Sequence, residues 1–333
     1  MLGDDAERRS RLLGLKLGAL VREHLGTDDA VTVGSWGPGA ALLREREAWI
    51  LAEDDPHRAL GRALAWARQQ HAIGLHVLAE RDTGLLARRA GWFATPPRVW
   101  HIDGRQLIEA VPEPFPARAE VDPELAMFRS LIEEAGADPV EEHGVLAGEV
   151  EGLEVCRAVR DPFTGACRLE VGVGAHDREA FQMLHGDVPT ATSLNRIVLV
   201  VAQHRALGAD PHPLNRLGAE RALRAQVVRH PALVGAVRLA VAPPPVPRPN
   251  LKVPIPCVAA GIDAHGASVV VVCSTGIDLD LVPFAADARA ALGPADARLV
   301  VAVPARDAVP VTKALAAALV HPAEVVAVPV AAA

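Results

Sequence analysis

Two glutamates on neighbouring predicted strands are the first residues in this sequence that could do chemistry. Glu154 and Glu170 lie within apolar runs at 145–159 and 168–173, and these runs flank the turn-forming sequence Asp-Pro-Phe-Thr-Gly at 161–165. Side chains alternate between the two faces of a strand, so both glutamates point away from the apolar face of this predicted hairpin. We expect them to lie directly opposite each other, where two like charges need a cation, a shared proton or solvent.

A divalent cation is one way to relieve this repulsion. Asp177 follows the second strand closely, and Glu154, Glu170 and Asp177 together would offer the hard oxygen ligands that Mg²⁺ and Mn²⁺ prefer. A metal held in this way could support hydrolysis of a phosphodiester. The alternative is a solvated hairpin face whose register keeps the glutamates apart.

Aspartates also follow the predicted C-terminal strands. Asp278 and Asp280 come after an apolar run at 268–273, and Asp307 comes after a second run at 298–303. Open α/β sheets place their ligands at the carboxyl ends of strands, so these three aspartates predict a pocket for a small ligand or a metal. Asp278 and Asp280 alternate with apolar residues, which predicts that both point outward. Helix capping and ordinary loop chemistry would explain the same residues.

Arginine is concentrated between residues 196 and 238, where seven arginines stand against two acidic residues. Arg216, Arg221 and Arg224 lie in a predicted helix and could guide a phosphate group. An acidic protein or a nucleic acid is therefore a candidate partner for this segment. A solvated helix face is the alternative.

Composition and motifs limit the other classes of function. The net charge of −7, the 3% of aromatic residues and the absence of tyrosine disfavour a protein whose whole surface attracts nucleic acid or stacks on bases. The sequence has no P-loop, no Gly-x-Gly-x-x-Gly after a strand and no Gly-x-Ser-x-Gly elbow, and its histidines fit no zinc motif. The cysteines show no Cys-x-x-Cys spacing, which is typical of buried thiols in a reducing compartment: Cys156, Cys167, Cys257 and Cys273.

The elements that would position these residues begin with an alternation of helices and strands. Apolar spacing predicts a helix at 6–25, strands at 31–36, 40–44 and 48–52, a helix from Asp55 to about Gln70 that Asp55 caps, a strand at 75–79, a helix at 84–93 and a strand at 99–102. This order resembles the core of the PD-(D/E)XK, or restriction-endonuclease-like, superfamily over roughly residues 8–110. The resemblance implies two acids and a lysine two residues after the second acid. Glu47 and Glu53 have no such lysine, so the implied nuclease module is degenerate.

A proline-rich acidic stretch at 112–123 predicts a linker between two α/β domains, at 1–116 and 117–333. We expect the second domain to contain the hairpin, two helices, a parallel βαβαβ sheet covered on both faces, and an extended strap or spacer at the prolines of 243–250. The predicted helices span 191–207 and 214–229, and the predicted strands of the sheet span 268–273, 298–303 and 324–330.

The sequence leaves two candidate functions for this protein. The first is a non-catalytic binding or scaffold protein with a degenerate nuclease-like module. The alternative is a nuclease or phosphodiesterase that depends on Mg or Mn. The preference for arginine over lysine and the abundant alanine, proline and glycine indicate a GC-rich bacterial genome, and without an apolar run of signal or membrane-spanning length we expect a cytoplasmic protein with no membrane partner.

Overall fold

The computed structural model describes most of the chain, namely residues 2–27, 33–37, 39–174, 178, 190–206, 212–247, 255–294 and 296–329. The chain forms two compact units, and neither is continuous in sequence. The first unit contains Met1–Phe115, Ile277–Asp287 and Val309–Glu324, and the second contains Pro116–Gly276, Ala288–Ala308 and Val325–Ala333. Two stretches that we assigned to the C-terminal domain therefore belong to the first unit. The predicted α/β class is confirmed, because helices and mixed sheets build the protein.

The elements follow one another along the described chain in this order. The first 115 residues form α1 (Leu2–Leu25), β1 (Val33–Trp36), β2 (Gly39–Arg44), β3 (Glu47–Leu51), α2 (Leu60–Gln69), β4 (Gly74–Ala79), α3 (Thr83–Ala90), β5 (Arg98–Asp103) and β6 (Gln106–Glu109). The remaining residues form α4 (Pro123–Ala126), α5 (Arg129–Glu134), β7 (Asp138–Glu142), β8 (Val145–Val150), β9 (Leu153–Arg160), β10 (Cys167–Val171), α6 (Thr190–Arg205), α7 (Ala219–Arg229), β11 (Arg238–Ala242), β12 (Cys257–Ile262), β13 (Ser268–Cys273), α8 (Leu281–Leu292), β14 (Arg298–Pro304), α9 (Pro310–Ala317) and β15 (Glu324–Val328).

The first unit contains a six-stranded mixed sheet in the order β1-β2-β3-β4-β5-β6. The central strands β3, β4 and β5 run parallel, and the strands on either side of them are antiparallel. The sequence did not predict β6. Its side chains are mostly exposed, so it lacks the apolar pattern by which a strand is recognised.

Helix α1 packs its apolar side against this sheet. Leu17, Leu20 and Val21 recur at helical spacing and are buried together with Leu42 and Leu78 of the strands. Each buried leucine stabilises the fold by roughly 1.5–3 kcal/mol. The packing fixes the last turn of α1 near the first residues of β3 and β4.

The predicted cap of the second helix is wrong. Pro56–Arg58 form a single 3₁₀ turn, and α2 begins only at Leu60. Asp55 has a left-handed backbone with φ of 46°, and its side chain makes no capping hydrogen bond. Local proline chemistry therefore starts a tight turn here and not the α-helix itself.

Buried ion pairs attach residues 277–287 to the rest of the first unit. Arg88 donates from Nε and Nη2 to the two carboxylate oxygens of Asp287, at 2.9 and 3.0 Å. Arg89 contacts both Asp287 and Asp280, at 3.4 and 3.0 Å. These four side chains are at most 6% exposed, so each charge depends on its partners to offset the loss of water.

The second unit contains a four-stranded antiparallel sheet in the order β10-β9-β8-β7. One side of it packs with α5 and α6 in a core that includes Ile132, Val155, Leu194 and Val198. We predicted one strand at 145–159, and this is wrong. Glu151 and Gly152 both have positive φ, at 48° and 74°, which is the geometry of a tight hairpin turn that separates β8 from β9.

A five-stranded sheet in the order β11-β12-β13-β14-β15 is also present. Strands β11, β12 and β13 are antiparallel, whereas β13 and β14 are parallel, so the sheet is mixed and not parallel throughout. The sequence did not predict β12, which follows the prolines and pairs on both sides. Of the predicted strap, residues 243–247 have no regular secondary structure, and 248–250 lie outside the described residues.

Candidate functional site

A pocket of about 390 Å³ lies in the first unit, at the edge where the parallel strands begin. Glu47, Gly74 and Arg98 are the first residues of β3, β4 and β5, and all three line the pocket. Since these strands run parallel, their first residues meet at one edge of the sheet. The pocket volume falls within the roughly 300–1,000 Å³ of small-molecule sites.

Aromatic rings that line this pocket pack against one another. The rings of Trp49 and His76 are stacked with centroids 3.7 Å apart and an interplanar angle of 9°. His24, in the last turn of α1, contacts Trp100 edge-on with centroids 4.6 Å apart. Trp49 and His76 are partners in the register of β3 and β4, so the pairing of the strands itself creates the stack.

Hydrogen bonds determine the protonation state of His76. The indole N–H of Trp100 donates to His76 Nδ1 at 3.0 Å, and an indole can only donate, so Nδ1 is unprotonated. The ring proton of neutral His76 is then on Nε2, which lies 3.2 Å from Glu47 Oε2 and donates to it. Burial lowers the pKa of His76, although the neighbouring Glu47 carboxylate acts in the opposite direction. Trp100 and His76 thus hold the Glu47 carboxylate in place.

Gly74 makes room for that carboxylate. A Cβ atom at position 74 would lie 1.8 Å from Glu47 Oε2, so any larger residue would displace the Glu47 side chain. Glu47 and Gly74 are register partners on β3 and β4. Gly74 therefore leaves the space in which the Glu47 carboxylate lies, and a larger residue fits there only if this partly exposed side chain moves.

The pocket also contains two charges that are free to meet a ligand. Glu47 Oε1 accepts no hydrogen bond from any described residue, and 42% of the Glu47 side chain is exposed. Arg98 is exposed and has neither a hydrogen bond nor an ion-pair partner within the described chain. Leu25, Leu75 and Pro96 supply apolar wall between them. The pocket thus combines a carboxylate, a guanidinium and an apolar surface.

The opposite edge of the same sheet carries a second polar cluster. Lys16 of α1 donates to Glu53, which follows β3, at 3.1 Å and to Glu80, which follows β4, at 2.7 Å. The pKa of Lys16 is raised because these two carboxylates outweigh the effect of its partial burial, and the bond from Lys16 lowers the pKa of Glu80. One lysine of α1 therefore contacts two carboxylates that follow neighbouring parallel strands.

The structure separates the two glutamates that the sequence paired. Glu170 is the register partner of Arg157, and the residue directly opposite Glu154 is Glu149. The expected register was wrong because the connection between β9 and β10 is longer than predicted: Cys167 pairs with Arg160, so residues 161–166 lie between the two strands. Like charges do face each other in this sheet, but on β8 and β9.

Arginines neutralise this facing pair. Arg221 lies 3.2 Å from both Glu149 and Glu154, and Arg157 and Arg178 donate to Glu154 at 2.8 and 2.9 Å. Burial would raise the pKa of Glu154, but these guanidinium groups outweigh burial and lower it. Around Glu154 this face is therefore buried and ionic, and the alternative of a solvated face is wrong here.

The other two residues of the predicted metal site, Glu170 and Asp177, do not join Glu154 in a set of free carboxylates among the described residues. Glu170 is bound by Arg168 at 2.8 Å and lies 3.5 Å from Arg178. Asp177 lies outside the described residues. In the part of the chain that the structure describes, no three His, Cys, Asp or Glu side chains are arranged to hold a metal ion.

Each of the three aspartates that we expected to form a C-terminal pocket has a partner within the protein. Asp280 is buried against Arg89 and the backbone N–H of Gly61, so it does not point outward as expected. Burial raises its pKa, and the Arg89 guanidinium opposes this rise. Asp278 is partly exposed and pairs with Arg58 at 2.8 Å. In the second unit, Asp307 accepts a hydrogen bond from Gly276.

Two of the three predicted anion-binding arginines face the protein interior. Arg221 and Arg224 of α7 are 7% and 0% exposed. Arg224 binds Glu149 at 2.9 Å and also pairs with Glu142. The side chain of Arg216 lies outside the described part of the structure. Arg221 and Arg224 are thus engaged by internal carboxylates and do not form an exposed surface for phosphate.

Comparison of the chain with protein families, with curated proteins and with solved structures finds no match to any of them. None of the described helices is both long and apolar enough to cross a membrane. The case for a function therefore depends on the geometry of the two units.

Sequence patterns did not indicate the pocket. Glu47, His76 and Arg98 belong to three different strands, and more than 20 residues lie between each of them and the next along the chain. One signal was present. Glu47 and Trp49 on β3, like Arg98 and Trp100 on β5, occupy alternate positions, which a strand places on one face of the sheet. A prediction of the strand order would have been needed to bring them together.

Proposed function

We propose that this protein is a non-catalytic binding protein and that it takes a small molecule into the pocket at the edge of its first sheet. The observation that carries the proposal is that Glu47 Oε1 and the Arg98 guanidinium, which have no partner among the described residues, lie around a cavity of about 390 Å³. Binding sites combine apolar walls with a few placed polar groups, and this pocket has both.

The environment of His76 favours binding over catalysis. Both ring nitrogens are occupied inside the protein, one by Trp100 and the other by Glu47. A general base needs a nitrogen within hydrogen-bond reach of the substrate proton. His76 therefore acts as a positioning residue that orients Glu47.

The degenerate nuclease-like module remains part of this proposal. The first unit runs helix, three strands, helix and strand, which is the element order on which the resemblance rests. The edge that carries Glu53 and Glu80 and the edge that carries the pocket are different edges of the same sheet. The proposed binding function therefore does not use the nuclease-like edge.

The indole signals of the five tryptophans provide a direct test. Trp49 lines the pocket and Trp100 donates to His76, whereas Trp36, Trp66 and Trp92 do not line it. We would titrate ¹⁵N-labelled protein with mixtures of small cationic, anionic, zwitterionic and neutral molecules. The five signals would first be assigned with single Trp→Phe variants.

We expect at least one class of molecule to shift the Trp49 and Trp100 signals and leave the other three unchanged. The variant Gly74→Val should abolish these shifts, because its side chain displaces Glu47. If no mixture moves Trp49 or Trp100, or if all five signals move together, the proposed binding site is refuted.

A second candidate function is a divalent-metal-dependent nuclease or phosphodiesterase, and the Lys16 cluster is the observation that favours it. Two carboxylates and a lysine at the carboxyl edge of parallel strands are the residue types that the resemblance implies. The test is cleavage of DNA, RNA and a phosphodiester dye with Mg²⁺ or Mn²⁺. Activity that Glu53→Gln, Glu80→Gln and Lys16→Met all abolish would support this function. Activity that survives all three would be contamination.

A further inference from the structure

The two free charges of the pocket have opposite sign and do not neutralise each other. No ion pair joins Glu47 to Arg98 within the described chain, although both line the same cavity. Arg98 is level with His76 on β4, and Glu47 is level with Gly74. The two residues are therefore two strands apart, or about 9.6 Å across the sheet, and two residues apart along it, or about 6.6 Å.

The charged groups of Glu47 and Arg98 are not in contact with each other. Glutamate and arginine side chains are long enough to approach each other from these positions, but their charged ends stay beyond the 4.0 Å of an ion pair. A group that bridges them must offer a cationic donor to Glu47 and an anionic acceptor to Arg98. A purely anionic ligand would meet the Glu47 carboxylate, and a purely cationic one would meet Arg98.

We propose that the pocket binds a small zwitterion with an apolar side group, of which a free apolar α-amino acid is the simplest example. Its ammonium group binds Glu47, its carboxylate binds Arg98, and its side chain packs against Leu75, Pro96 and Leu25. This inference rests on the proposed binding function and adds to it the class of ligand.

The support of Glu47 fits the binding of an ammonium group. His76 holds Oε2, so Oε1 keeps a fixed direction without being used. A preorganised carboxylate loses less side-chain freedom when the ligand binds, which strengthens binding. Arg98 offers the planar fork that suits a carboxylate. The remaining titratable groups that line the pocket are His76, which is engaged on both nitrogens, and His24, which packs edge-on against Trp100.

Three probes that share one carbon skeleton test the ligand class. L-Leucine carries both charges, 3-methylbutylamine lacks the carboxylate and 4-methylpentanoate lacks the ammonium group. Dissociation constants would be measured from the Trp49 and Trp100 indole shifts. We expect leucine to bind about threefold to fivefold more tightly than either single-charge probe, since an ion pair with a partly exposed side chain changes affinity by up to about fivefold.

Two variants assign each charge to its residue. Glu47→Gln should weaken the binding of leucine and 3-methylbutylamine by about threefold to fivefold and leave the binding of 4-methylpentanoate unchanged or tighter. Arg98→Gln should have the converse pattern. Arg68→Gln, which removes an exposed arginine that does not line the pocket, should change none of the three constants. Unchanged Trp36, Trp66 and Trp92 signals would show that both variants are folded.

The outcomes separate this inference from the proposed function. If a single-charge probe binds as tightly as leucine, or if the two variants weaken all probes equally, the zwitterion assignment is overturned while the pocket remains a binding site. If none of the three probes shifts Trp49 or Trp100 while another molecule from the mixtures does, the ligand class is also overturned. If no molecule of any class shifts them, the proposed function fails with it.

Discussion

Glu154→Gln is the substitution that most directly tests how the second unit is held together. In the folded protein, Glu154 is 1% exposed and accepts from Arg157, Arg178 and Arg221. Glutamine has nearly the same shape but no charge. The substitution therefore keeps the packing and removes the negative charge that three guanidinium groups share.

We expect Glu154→Gln to destabilise the second unit strongly, because the arginines around position 154 remain charged and largely buried. Arg178 and Arg221 have side chains less than 10% exposed, and without the Glu154 charge they keep only Glu170, at 3.5 Å from Arg178, and Glu149, at 3.2 Å from Arg221, as carboxylate partners. Removing one partner of a buried ion pair costs about 3–5 kcal/mol. For a unit of this size that corresponds to a fall in Tm of roughly 6–20 °C. Arg157 is 31% exposed and partly hydrated, which favours the lower half of this range.

The assay must report on the second unit alone. All five tryptophans lie within the first 100 residues, so their fluorescence monitors the first unit, and hydrogen exchange of β8 and β9 monitors the second. Glu141→Gln is the matched control, because its pair with Arg129 is more than 40% exposed on both sides and should be worth about 0–1 kcal/mol. If Glu154→Gln opens β8 and β9 no more than Glu141→Gln does, the arginines do not depend on Glu154 and the reasoning is refuted.

Three further predictions follow from the same structure. Asp287→Asn should lower the free energy of unfolding of the first unit by about 3–5 kcal/mol, because Arg88, Arg89 and the Trp92 indole all donate to this fully buried carboxylate. Urea unfolding followed by tryptophan fluorescence measures this change. The control is Asp278→Asn, at a partly exposed carboxylate, and equal effects of the two substitutions would contradict the prediction. Gly152→Ala should destabilise the second unit by more than about 2 kcal/mol, since its Cβ would lie 2.3 Å from the Arg221 carbonyl carbon. Gly266 has a similar positive φ but open space around it, so Gly266→Ala should cost only about 1 kcal/mol in the same hydrogen-exchange measurement. Because the pKa of Glu154 is lowered in the folded protein, its stabilising contribution is present above the ordinary glutamate pKa and is lost as pH falls through the lowered value. The protection of β9 amides from hydrogen exchange should therefore fall less on acidification in Glu154→Gln than in the parent protein.

Local patterns predicted much of the secondary structure. The apolar spacing of α1 and of the central strands of the first sheet is strong, and these elements lie within a few residues of where the sequence placed them. The errors occurred where a turn or an exposed strand interrupts the pattern. Gly152 divides a long apolar run into two strands, and β6 has few buried side chains to mark it.

The division into units could not be predicted from local patterns. A proline-rich stretch suggested one boundary, but residues 277–287 and 309–324 join the first unit through contacts that are distant in sequence. Arg88 and Asp287 are 199 residues apart, and neither has a neighbour in sequence that indicates its partner. A buried arginine and an exposed arginine look the same in a sequence until the surface against which the helix packs is known.

Two glutamates face each other in this sheet, as the sequence indicated, but they are Glu149 and Glu154 and not Glu154 and Glu170. Two buried glutamates do face each other across neighbouring strands, and cations do relieve their repulsion. The cations are arginines from α7, whose Leu223 and Val227 pack into the core with β12 and β13 while Arg221 and Arg224 contact glutamates on β8 and β9. The spacing of three residues between Arg221 and Arg224 places both on one face of the helix, and this spacing was visible in the sequence. An arginine-rich helix that follows strands with several glutamates therefore has an internal explanation, which should be weighed before an external anion is proposed.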